Sequence, residues 1–125
     1  INRIISRFKK KKIRTSLFIN PSLRDIKTSI DLGADCIEIH SGKLANLVKS
    51  NLNYKKEFLK IKKCSHIAKK GGLEVHAGHG LDYKTTKILS KIKEIEEFNI
   101  GHFIIGESII NGLKKTILSF KKILK

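Results

Sequence analysis

The sequence predicts a parallel α/β fold in which four strand-helix units make half of a closed eight-stranded (β/α)₈ barrel. Short β-rich runs alternate with longer stretches of helical apolar period, and Gly or Pro stands at most of the junctions. Along one of the strands, polar residues share one face and apolar residues the other. An open flavodoxin-like sheet also accommodates four or five such units. The polar placement favours the barrel, whose helix-facing residues are apolar while inward residues near the C-terminal strand ends line the mouth.

The first element, residues 1–12, carries Ile4, Ile5 and Phe8 on one side and Arg7, Lys9 and Lys10 mostly on the other, an amphipathic helix. The first strand, Thr15–Asn20, ends at Pro21, which cannot continue a central strand. Ser22 stands three residues before Asp25 in a capping-box-like spacing, and Leu23, Ile26 and Ile30 supply the apolar stripe of a helix ending near Gly33. The second strand, Cys36–His40, places Ile37 and Ile39 on one face and Cys36, Glu38 and His40 on the other. A long connection is expected through Asn53, then a helix over residues 54–70 that Gly71-Gly72 stops. The third strand, Leu73–Ala77, runs into Gly78-His79-Gly80-Leu81, and a basic helix follows over residues 84–92. The fourth strand is expected at residues 98–100. Gly101–Gly106 then opens a small extra helix, and Gly112 separates it from a last helix over residues 113–124.

Composition narrows the function classes. Hydrophobic residues make up 40% of the chain, charged residues 30%, and there is one Pro, which is globular rather than disordered. The chain opens on Ile1 in a basic amphipathic stretch and reads as a piece of a longer polypeptide, one half-barrel spanning residues 1–125. No apolar run reaches bilayer length and no secretory signal is evident, so the cytoplasm is the expected location. Cys36 and Cys64 lie among apolar residues and read as reduced core thiols.

The formal charge of +16 would suit a polyanion partner such as nucleic acid. Yet only Arg3, Arg7, Arg14 and Arg24 can make bidentate phosphate or guanine contacts. The lysines are spread over every helix without interleaved aromatic residues, so a solvated surface is the expectation.

Four positions carry candidate chemistry. Glu38 is a carboxylate in an otherwise apolar strand, expensive unless paired or used. A structural ion-pair partner is the alternative role. His79, between two glycines at a strand end, can exchange a proton near neutral pH. Gly101-His102 at the start of the extra helix would turn free backbone N–H groups toward an anion. His76 suits a hydrogen-bonded core histidine better than a catalyst. No H-x-H or HExxH spacing is present, so no metal site is expected although His40, His76, His79 and His102 all fall near strand ends.

The segments Ser16–Asn20, Ile37–Gly42, Val75–Leu81 and Phe98–Gly106 resemble, in order and spacing, the last four strand ends of the pyridoxine 5′-phosphate synthase family. The combination of AGHGL and NIGH is the specific part. That resemblance implies the C-terminal half of a TIM barrel. It also implies an enzyme condensing 1-deoxy-D-xylulose 5-phosphate with 3-amino-2-oxopropyl phosphate, with no organic cofactor, in a homo-octamer. By motif, His79 resembles the proton donor and Glu38 the carboxylate that stabilises the transition state. Gly80, Gly101 and His102 resemble groups that bind the aminoketone phosphate. The alternatives are another phosphate-binding barrel isomerase or synthase, and a basic nucleic-acid-binding domain. The half-barrel alone is expected to be inactive, and its sheet edges would be exposed.

Overall fold

A computed structural model describes residues 1–125. The elements in chain order are α1 (Asn2–Lys10), β1 (Ser16–Ile19), α2 (Leu23–Asp31), β2 (Cys36–His40), α3 (Gly42–Lys49), α4 (Lys55–Lys70), β3 (Glu74–Gly78), α5 (Tyr83–Leu89), β4 (Ile95–Asn99), α6 (His102–Asn111) and α7 (Leu113–Ile123). The four strands form one parallel sheet in the order β1-β2-β3-β4, so each crossover joins neighbours and β1 and β4 are its edges. This is the α/β alternation expected of four successive barrel units.

Register sets the two faces of the sheet. Phe18 pairs with Glu38, Glu38 with His76, and His76 with Glu97, so these four share the inward face. Ile37, Ile39, Val75 and Ala77 point the other way and are fully buried against the helices. There they meet Ile26 of α2, Leu44 and Val48 of α3, Ile61, Cys64 and Ala68 of α4, and Leu89 of α5 in one hydrophobic core. Both cysteines are free and buried, as their apolar neighbours predict, and burial pushes the Cys64 thiol up.

Six local expectations are corrected. The connection after β2 contains a helix, α3, whose Leu44 and Val48 sit four apart on its buried face. β4 begins at Ile95 rather than Phe98, because the charged Glu96 and Glu97 are strand residues with partners: Glu96 binds Lys69 at 2.6 Å, and Glu97 faces His76. α5 runs from Tyr83 to Leu89, since Asp82 and Thr85 form a reciprocal capping box that starts it earlier. At Ser22 the box is one-sided: its hydroxyl accepts from the Asp25 N–H at 3.1 Å without a reciprocal bond. α1 stops at Lys10, and the extra helix α6 is ten residues long.

Candidate active site

The C-terminal strand ends gather the candidate residues around a cleft of about 770 Å³, lined by His79, Gly80, Asn99, Gly101, His102 and their neighbours. Glu38 lies behind this lining. Its Oε2 accepts a hydrogen bond of 2.7 Å from Asn99 Nδ2, and Oε1 occupies the space above Gly78. A Cβ on Gly78 would fall inside that carboxylate, so the glycine is what lets Glu38 lie across β3. The carboxylate is half-buried and held by one charge-assisted donor, worth about 1.5–3 kcal/mol in typical cases.

His79 is exposed at the mouth and has φ +75°, a left-handed conformation that costs a non-glycine residue on the order of 1–3 kcal/mol. The imidazole stacks on His40 with ring centroids 4.5 Å apart and planes at 25°. His40 in turn packs on Phe18 at 5.3 Å. Gly42 makes room for this pair, because a Cβ there would stand 2.7 Å from the His40 ring and 2.8 Å from the His79 ring. Gly80 follows at φ +77° and approaches Ala45 of α3.

Gly101 is the N-cap of α6, and no side chain caps the free N–H groups of the first turn. Gly101 has negative φ and nothing within 4 Å of where a Cβ would be, so open space lies in front of that helix end. With its N-terminal partial positive charge, the arrangement suits an anionic oxygen group. Tyr83, Phe103 and Phe120 interlock at centroid distances of 4.6–5.9 Å and fix α6 against α5 and α7.

All five sequence-predicted positions border this end of the sheet, with His79, Gly80, Gly101 and His102 on the cleft and Glu38 joined to it through Asn99. His76 is elsewhere in function. It is buried at 4% exposure, its Nε2 lies 2.9 Å from Glu74 Oε1, and Arg14 pairs with the same carboxylate. His76 first, then Arg14, holds the Glu74 carboxyl below the usual range. With Glu97, His76 and Glu74 bring potential ligand atoms within 4.8 Å of one another, a group the spacing did not reveal because strand pairing assembles it. Glu74 already bonds both His76 and Arg14, so a cation would have to compete with the guanidinium for that carboxylate.

Sequence reasoning missed Asn99 and Ser41 as parts of the site, and placed His40 on the inward face beside Glu38 without a role. Asn99 was visible only as a member of the Phe98–Gly106 motif. Its contact with Glu38 crosses 61 residues of sequence and follows from its pairing beside Gly78.

The fold and site define a parallel α/β chain of the barrel type, with an exposed histidine and an uncapped helix start on one cleft at the C-terminal strand ends. The family model of the pyridoxal phosphate biosynthesis protein PdxJ matches residues 1–125, and the chain belongs to this family. Similar proteins include the pyridoxine 5′-phosphate synthases of Pelagibacter ubique (strain HTCC1062), 68% identical over 98% of this chain and 52% of that protein, and of Sulfurihydrogenibium sp. (strain YO3AOP1), 45% identical over 96% and 49%. That of Campylobacter fetus subsp. fetus (strain 82-40) is 36% identical over 100% of this chain and 57% of its own. The chain spans about half the length of the curated relatives it matches.

Proposed function

We propose that residues 1–125 are the C-terminal half of a single-domain barrel whose complete form is a pyridoxine 5′-phosphate synthase. It would join 1-deoxy-D-xylulose 5-phosphate to 3-amino-2-oxopropyl phosphate, closing the pyridine ring with release of inorganic phosphate and water. The observation that carries this reading is the convergence of His79 and the uncapped start of α6 on one cleft, with Glu38 held behind it by the lining residue Asn99, in a chain of this family.

Each group has a role that its placement suits. The first-turn N–H groups of α6, with Gly101 and His102, would bind the phosphate of the aminoketone, and Gly80 would let that substrate approach the backbone. His79, exposed at the mouth, would donate a proton to a departing oxygen during the dehydration steps. Glu38 would face positive charge developing on the substrate nitrogen, a contact that strengthens as that charge forms. Two phosphorylated substrates also suit a chain of net charge +16.

No helix is long and apolar enough to cross a membrane. We place the complete enzyme in the cytoplasm as a homo-octamer, which analytical ultracentrifugation of the full-length protein would test. The activity test is formation of pyridoxine 5′-phosphate from the two phosphorylated substrates, followed by the ultraviolet absorbance of the pyridine ring. Product requires the synthase reading; a folded full-length protein that forms none would point to another phosphate-binding barrel reaction.

A further inference from the structure

We propose that Ser41 is a positioning residue that holds the His79 peptide in its left-handed conformation and so aims the imidazole into the cleft. Ser41 is fully buried and sits where α3 begins, the position at which a serine hydroxyl ordinarily accepts a hydrogen bond from its own helix. It makes no such bond. The backbone at Ser41, with φ −99° and ψ 3°, departs from the extended conformation of an ordinary N-cap, and the hydroxyl bonds the next strand end instead.

There Ser41 Oγ lies 2.7 Å from the carbonyl oxygen of Gly78 and 2.9 Å from that of His79, and its single proton is shared between them. The Ser41 N–H donates to the same Gly78 carbonyl at 2.9 Å. One residue of the β2–α3 turn thus grips both peptides that flank the His79 Cα. The strained φ of +75° at His79 persists because this grip opposes relaxation toward the extended region. Gly42 completes the seat, since only a residue without a Cβ leaves room for the stacked His40 and His79 rings. The hydroxyl forgoes capping its own helix and holds the neighbouring loop instead, an exchange that a purely structural turn does not require.

The effect on turnover rests on the synthase reading above; the effect on the His79 conformation does not. The experiment therefore reads both in the full-length enzyme carrying Ser41→Ala and, as the conservative rescue, Ser41→Thr. For Ser41→Ala we expect kcat to fall about 10- to 100-fold, the loss typical of a catalytic group displaced by an ångström, with KM for both substrates within about twofold. The His79 ring resonance in a ¹H–¹³C spectrum should shift while those of His66 and His102 stay in place. Ser41→Thr, which restores the hydroxyl, should recover both readouts. Should Ser41→Ala not fold, Ser41→Cys, a weak donor of similar size, takes its place with the same readouts. An unmoved His79 resonance overturns the proposal, whatever happens to activity. So does a melting-temperature loss with kcat intact, which would make Ser41 an ordinary structural turn residue. If the unaltered enzyme forms no product, the synthase reading falls while the resonance shift alone still decides the role of Ser41.

Discussion

The two ends of the sheet use the same residue types for opposite purposes. At the N-terminal ends of the strands the polar groups satisfy one another. Asp35 accepts from the Thr15 N–H at 2.7 Å and from its hydroxyl at 2.9 Å, and Arg14, Glu74 and His76 form a chain of contacts. At the C-terminal ends, His79 is exposed at a strained φ, Glu38 has one donor, and the first turn of α6 is uncapped. A histidine and a glutamate occur at both ends, yet His76 is buried against its glutamate while His79 is exposed on the cleft. The lesson is that pairing, rather than residue identity, separates the stabilising end of this sheet from the end proposed to carry the chemistry.

The sharpest way to break the comparison is to remove His79. In the full-length enzyme His79→Ala should lower kcat by about 10²- to 10⁴-fold, the range for a proton-transfer group, with little change in melting temperature. His79→Gly should lose the same activity and gain stability, because glycine adopts the left-handed conformation without strain. A His79→Ala enzyme with turnover within a few-fold of normal would move the proton-transfer role elsewhere.

Gly78→Ala is next in expected size. The new methyl group must displace the Glu38 carboxylate, so turnover should fall on the order of 10²-fold in steady-state assays, and a crystal structure should show Glu38 detached from Asn99. Asn99→Ala, which removes only the donor, should cost about tenfold in kcat, since a hydrogen bond to a charged group is worth at least about 1.5 kcal/mol. Equal activity in Asn99→Ala and the unaltered enzyme would mean that Glu38 keeps its orientation without help.

At the other end of the sheet the expected change is in stability alone. Asp35→Asn should weaken the joint between the starts of β1 and β2 by about 1–3 kcal/mol in denaturant titrations and leave kcat unchanged. The Thr15 backbone bond first, then its hydroxyl, holds the Asp35 carboxyl below its ordinary range. Its contribution is therefore complete above the unfolded value of about 3.9 and is lost as pH falls through the lower folded value. Asp35→Asn should flatten that part of the acid-denaturation profile; an unchanged profile would remove Asp35 from the account.

Much of this architecture was legible in the sequence, for physical reasons that also mark where reading fails. The alternation in Cys36–His40 and the glycines around His79 are local patterns, and both faces of β2 and the site end of β3 followed from them. α3 escaped because it is only eight residues long, opens on a glycine and has no acidic residue in its first turn, so Ser41 was its one local start signal. β4 was placed too late because Glu96 and Glu97 look like loop residues until Lys69 and His76 are brought beside them. The contacts of Asn99 with Glu38 and of Ser41 with the His79 peptide depend on strand register, which no local pattern encodes.

The most direct test of the central claim is to assay pyridoxine 5′-phosphate formation by the full-length enzyme and its His79→Ala variant side by side, with both phosphorylated substrates saturating. Product is expected from the first and a rate lower by about 10²-fold or more from the second, at equal folded concentration. Equal rates, or no product from the folded full-length enzyme, would contradict that claim.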